Sequence, residues 1–182
     1  MPFKFTKLEI KDVILIEPAV FTDPRGYFLE SYKESDFIAN DINYRFSQDN
    51  HSLSKKNILR GLHYQLNPKA QGKLIRVIKG LIWDIAVDIR KSSPTFVKWI
   101  GIELSDNNNI MIFIPPGFAH GFISLTDEVH LVYKCTNEYD AKLDSGIRWD
   151  DPDIGIKWPV NNPVISEKDL KLPYLKNAKV FE

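Results

Sequence analysis

Two stretches, LRGLHYQ at residues 59–65 and PPGFAHG at residues 115–121, each set one histidine beside a glycine within apolar sequence. An imidazole titrates near neutrality, so His63 and His120 are candidates to move a proton or bind a metal, or to pack with their nitrogens satisfied. A metal held by these two alone needs two more ligands, since zinc and iron sites recruit several His, Cys or carboxylate groups. His63 is followed by Tyr64 and Gln65, so the H-x-H pair that would complete such a set is missing. Arg60, His63 and Lys73 lie on two strand-like runs joined by NPKAQG, and a hairpin-like return would gather them into a small cationic pocket. Arg60 and His63 have opposite parity on a regular strand, so sharing a pocket requires a bulge, for which Gly61 is suited. The plainer alternative makes Arg60 and Lys73 solvated strand ends and His63 an interior histidine.

The elements around these residues read as strands. YFLESYK, KLIRVIKG, LIWDIAVDIR, FVKWIGIEL, IMIFIP and VHLVYKCTNEY are rich in β-branched and aromatic residues. They are broken by KG at 79–80, KSSPT at 91–95 and SDNNN at 105–109, whose residue types favour hairpin or sandwich connections. In LIWDIAVDIR, alternation puts Leu81, Trp83, Ile85, Val87 and Ile89 on one face and Asp84, Ala86, Asp88 and Arg90 on the other, which predicts one polar sheet face. In VHLVYKCTNEY, Val129, Leu131, Tyr133 and Cys135 share a face, pointing Tyr133 into the interior and His130 outward. Helix signals are confined to ESDFIAN at 34–40 and a short turn from Ser166, where Ser166-x-x-Asp169 matches a capping box. Many short strands without alternating helices predict a sandwich or jelly-roll barrel with a ligand site at its mouth. The P-x-G-x-x-H spacing of IPPGFAHGF is shared by many cupin barrels, where a tight turn delivers a histidine into the barrel.

Composition sets outer bounds. With 182 residues, 43% of them hydrophobic, the chain fits one domain over 1–182 with N- and C-terminal arms. Its 24 basic and 24 acidic residues leave no net charge, hence no general attraction to nucleic acid or an anionic membrane. Any anion must meet a local group of cations. The lone Cys135 cannot close an intrachain disulfide, and no apolar run is long enough for a membrane span, so a reduced, cytoplasmic setting is expected. The tryptophans at 83, 99, 149 and 158 are read as packing residues.

Taken in order, IEPAVFTDPRGYFLES, FSQDNHS, ILRGLHYQ, QGKLIRVIKG, WDIAVDIRKSSPTF, IPPGFAHGF, YKCTNEY, GIRWDDPDIGIKWP and ISEKD resemble the dTDP-4-dehydrorhamnose 3,5-epimerase family along nearly the whole chain. The resemblance implies a mainly β, cupin-type jelly roll with a few short peripheral helices. It also implies a homodimer, no metal or other cofactor, and a dTDP-linked 4-keto-6-deoxy sugar as substrate. On matching positions, His63 would be the general base, Asp169 its carboxylate partner, Tyr133 the general acid and Lys73 the cation near the C4 oxygen. Arg25, Phe28, Glu30, Gln48, Asp49, Asn50, Arg60, His120 and Lys168 would bind substrate, and Tyr139 would stack on thymine. Where the family typically has Glu, this chain has Asp144, one methylene shorter, and the proline expected after Tyr139 is replaced near Ala141. The implied reaction suits these residue types: a C4 ketone acidifies the hydrogens on C3 and C5. Inversion then requires an acid and a base on opposite faces of the ring.

Overall fold

The structure, a computed structural model, describes residues 2–182; residue 1 of the expected 1–182 unit lies outside the described residues. Strands are numbered along the chain. The first sheet runs, in spatial order, β1 (Phe3–Lys7), β2 (Ile14–Pro18), β10 (Met111–Ile114), β7 (Lys73–Lys79), β12 (Glu128–Cys135) and β5 (Gln48–Lys55). The second runs β13 (Asp144–Gly146), β6 (Ile58–Gln65), β11 (Phe118–Ser124), β8 (Leu81–Asp88) and β9 (Trp99–Ser105), with β14 (Val164–Ile165) added in parallel beside β6. β3 (Val20–Asp23) and β4 (Gly26–Leu29) form a separate ribbon, and two short helices, α1 (Glu34–Ile38) and α2 (Glu167–Leu170), lie at the periphery. From β5 to β12 the chain passes back and forth between the sheets, giving the expected jelly roll.

KSSPT closes the β8–β9 hairpin, whereas KG and SDNNN carry the chain from one sheet to the other. NPKAQG also crosses between sheets, because β6 belongs to the second sheet and β7 to the first. The hairpin-like return expected between His63 and Lys73 therefore does not form, and the two residues come from opposite walls. YFLESYK is strand only as far as Leu29, in the exposed ribbon.

Between the sheets lies an apolar plug that includes Ile75, Val77, Ile82, Ile112, Phe122, Val129 and Leu131. The polar face of β8 expected from alternation exists, but it turns inward: Asp84 is 1% exposed and Asp88 is fully buried. The opposite face, with Ile85, Val87 and Ile89, is not left to solvent either. It is buried under Ile147, Ile154 and the C-terminal arm around Leu175, Val180 and Phe181. On the outer face of the first sheet, α1 inserts Phe37 among Phe3, Ile16 and Phe113.

The bulge required between Arg60 and His63 is present. On β11, His120 pairs with His63 and Phe122 with Arg60, so two residues of β6 face the single Gly121. Gly61 has φ +136°, and a Cβ built there would stand 2.6 Å from the Gly121 Cα and 3.0 Å from the His120 carbonyl oxygen. Both obstacles are backbone, so neither can swing aside. Gly61→Ala is therefore expected to cost roughly 2–6 kcal/mol, combining overpacking with a strained φ, read as a lower urea midpoint. An unchanged midpoint would contradict this account of the bulge.

Candidate active site

The bulge on β6 sends His63 into a cavity of about 520 Å³, which is also lined by Arg60, Tyr133, Lys168 and Asp169. His63 and Tyr133 reach it from opposite sheets, on β6 and β12. His63 Nε2 lies 2.7 Å from Asp169 Oδ1. A carboxylate only accepts, so Nε2 carries the proton and Nδ1 keeps a free lone pair. Asp169 Oδ2 accepts from the Gly61 backbone N–H at 3.3 Å, which ties the same carboxylate to the bulge. Ser166 caps α2, its hydroxyl accepting from the Asp169 N–H at 3.1 Å, so the capping reading holds for the main chain of Asp169 while its side chain serves His63. Burial alone would raise the Asp169 carboxyl's pKa, but the hydrogen bond and charge of His63 and the Gly61 N–H hold it below the usual carboxylate range.

A second His–Asp pair lies deeper: His120 Nε2 is 2.8 Å from Asp84 Oδ2, and both residues are buried. Burial pushes the His120 imidazole below the ordinary histidine range, against the pull of Asp84 and with the nearby charges of Lys73 and His63. Asp84 had no assigned role in the sequence reading; its only signal was its place on the polar face of β8. Lys73 extends into the same interior from β7. Desolvation lowers its pKa, opposed chiefly by the nearby carboxylates of Asp84 and Asp144, since burial keeps the Cys135 thiol protonated. Desolvation raises the pKa of the Tyr133 phenol, which keeps it protonated at neutral pH.

The remaining candidates divide into two groups. Asp144 Oδ2 accepts from Lys168 Nζ at 2.6 Å and from the Tyr139 hydroxyl at 3.3 Å; Gln48 Oε1 accepts from the Tyr139 N–H and Gln48 Nε2 donates to Asn50. These five form a linked belt. Asp49, by contrast, faces outward to Lys134, because the parity of β5 opposes it to Gln48 and Asn50. Arg25 and Phe28 sit on the β3–β4 ribbon, and neither they nor Glu30 line the His63 cavity. Arg60 is anchored through Nε to Ser54 Oγ at 3.1 Å and through Nη2 to the Leu53 carbonyl. His130 lies on the outer side with His51 and Glu128, as its parity required.

A family model described as dTDP-4-dehydrorhamnose 3,5-epimerase matches residues 7–177. A relative of that name from Methanothermobacter thermautotrophicus is 52% identical over 182 residues, covering 98% of both chains. The chain belongs to the dTDP-4-dehydrorhamnose 3,5-epimerase family. Among solved structures of this epimerase family, the one from Sulfolobus tokodaii superposes with a TM-score of 0.93 at 48% identity, covering 100% of both chains. A Legionella pneumophila epimerase, in complex with dTDP-4-keto-L-rhamnose, gives 0.93 at 41% identity, covering 96% of this chain and 94% of that one. The cupin-type jelly roll is thus common to this chain and its epimerase relatives.

Because Asp169 titrates below its unfolded value, its stabilising contribution is complete above the unfolded carboxyl range and is lost as pH falls through the folded value. His120, also lowered, acts in the same direction: it must be protonated on acid unfolding. Stability of the native chain should therefore decline on acidification below about pH 6.5, through the ordinary histidine and carboxyl ranges. Asp169→Asn should flatten the most acidic part of that decline in urea titrations. An identical pH slope in the two proteins would contradict the assignment.

Proposed function

We propose that the chain epimerises C3 and C5 of a dTDP-linked 4-keto-6-deoxyhexose, converting dTDP-4-dehydro-6-deoxyglucose to dTDP-4-dehydrorhamnose by metal-free enolate chemistry in deoxysugar biosynthesis. The observation that carries this reading is the approach of His63 and Tyr133 to one cavity from opposite sheets. Nδ1 of His63 takes the proton from a carbon beside the ketone, and the C–H electron pair delocalises onto the C4 oxygen as an enolate. Tyr133 then gives its phenolic proton to that carbon from the other face, which inverts the centre. Returning the proton from His63 itself would restore the original configuration.

Asp169 stabilises the imidazolium that forms and holds the ring by Nε2. Lys73 stabilises the enolate oxygen. In a desolvated interior a fixed donor of this kind contributes about 3–4 kcal/mol to the transition state. The anionic end of the substrate meets Arg60, whose guanidinium is held in place by Leu53 and Ser54, and the belt of Gln48, Asn50, Tyr139, Asp144 and Lys168 receives the nucleotide, with Tyr139 stacked on thymine. His120 holds the sugar from the deeper side. The shorter Asp144 still reaches Lys168 and Tyr139.

A homodimer is part of the proposal. The β3–β4 ribbon leaves Phe28 65% exposed, and the outer face of the first sheet leaves Leu53 56% exposed. Covering both with a second copy removes this apolar surface from water, and lets Arg25, Phe28, Glu30 and Asp49 serve a site shared between chains. The free, buried Cys135 supports a cytoplasmic setting.

Incubation with dTDP-4-dehydro-6-deoxyglucose tests the reading. The wild-type chain should invert both centres, unaffected by chelators, and should sediment as two chains. His63→Ala should lose about 10²–10⁴-fold in kcat with its circular dichroism intact, while Tyr133→Phe should slow inversion more than proton exchange. Normal turnover by His63→Ala, or loss of activity on chelation, would refute it.

A further inference from the structure

We infer that Ser52 is a substrate-contacting residue, its hydroxyl donating a hydrogen bond to an oxygen where the sugar joins the diphosphate; the inference rests on the function proposed above. Alternation along β5 turns Gln48, Asn50, Ser52 and Ser54 toward the interior. Three of these four have partners within the chain. Gln48 is bonded to Asn50 and to the Tyr139 N–H, Asn50 donates to Cys135 Sγ at 3.5 Å, and Ser54 Oγ accepts from Arg60. The Ser52 hydroxyl is buried and has no hydrogen-bond partner among the described residues, although Ser52 lines the cavity with His63, Tyr133 and Arg60. A buried hydroxyl without a partner has given up its water and received nothing in return, so the free protein is less stable for keeping it. Such local violations collect at functional sites, where a ligand supplies the missing partner.

Its position indicates which part of the ligand that is. Asn50 lies directly across from Tyr133, Ser52 across from Leu131, and Ser54 beyond it holds Arg60. Ser52 therefore stands between the acid and the guanidinium, about 7 Å along the strand from each neighbouring inward residue. A ligand with its sugar ring at Tyr133 and a phosphate at Arg60 passes Ser52 at the junction of the two. Serine has a single χ1 torsion with three staggered wells, so a rotamer change can turn the hydroxyl from the wall toward an entering oxygen. The junction oxygens are acceptors, and the serine is the donor. Their charge changes little during enolisation, so the contact strengthens ground state and transition state alike.

The test is Ser52→Ala, with wild type and His63→Ala assayed beside it. Uniform binding predicts that Ser52→Ala raises both the KM for the nucleotide sugar and the Kd for dTDP by about five- to twentyfold, with kcat within about threefold of wild type. The melting temperature of the free protein should stay the same or rise, because the removed group had no partner. Ser52→Thr, which keeps the hydroxyl, should bind dTDP more tightly than Ser52→Ala. Unchanged dTDP affinity in Ser52→Ala would overturn the inference, as would a lowered melting temperature with unchanged KM, the signature of a structural hydroxyl. If wild type failed to epimerise the keto sugar while Ser52→Ala still weakened dTDP binding, the proposed function would fall and the contact would stand.

Discussion

The hydrogen bond between His63 and Asp169 is the interaction on which the rest of the site depends. At 2.7 Å it fixes the imidazole tautomer and leaves the Nδ1 lone pair free to take a proton. It is held at both ends. The Gly61 bulge that turns His63 inward presents its own N–H to the same carboxylate, and Ser166 caps the short helix that brings Asp169 up to β6. Segments more than a hundred residues apart in the chain, by the separation of Gly61 and Asp169, are thereby joined by one buried charge. Losing the His63 side leaves the buried Asp169 carboxylate with only the Gly61 N–H from β6, a cost reduced by the partial exposure of His63. The geometry needed for proton transfer is thus coupled to folding of the C-terminal segment.

The jelly roll supplies what this pair cannot, a second wall. Because the chain alternates between sheets, residues close in sequence such as His63 and Lys73 are delivered from opposite sides. The interior they share is apolar at one end and polar at the other, with Asp84, His120, Lys73 and Tyr133 in partial or full burial. Desolvation lowers the pKa of His120 and Lys73 and raises that of Tyr133. Each shift favours the uncharged form, which leaves Tyr133 with a proton to give.

Much of this was legible in the sequence, and the failures have physical causes. Period-two alternation in VHLVYKC correctly placed Tyr133 inside and His130 outside, and the parity conflict between Arg60 and His63 correctly demanded a bulge at Gly61. Alternation gives two faces without saying which is interior. In LIWDIAVDIR the apolar face is covered by residues far along the chain, so the polar face, not the apolar one, lines the barrel. The Asp84–His120 pair was hidden for a related reason: it forms across β8 and β11, 36 positions apart. The run QDN likewise does not reveal that strand parity turns Asp49 to the opposite face from Gln48 and Asn50.

The most direct test of the central claim is turnover of dTDP-4-dehydro-6-deoxyglucose in heavy water, with deuterium followed at C3 and C5 of the product. Departure of hydrogen to an imidazole on one wall, and replacement from a solvent-exchanged phenol on the other, requires deuterium at both inverted carbons. Product inverted at both centres but still carrying its original hydrogen at either one would contradict the account.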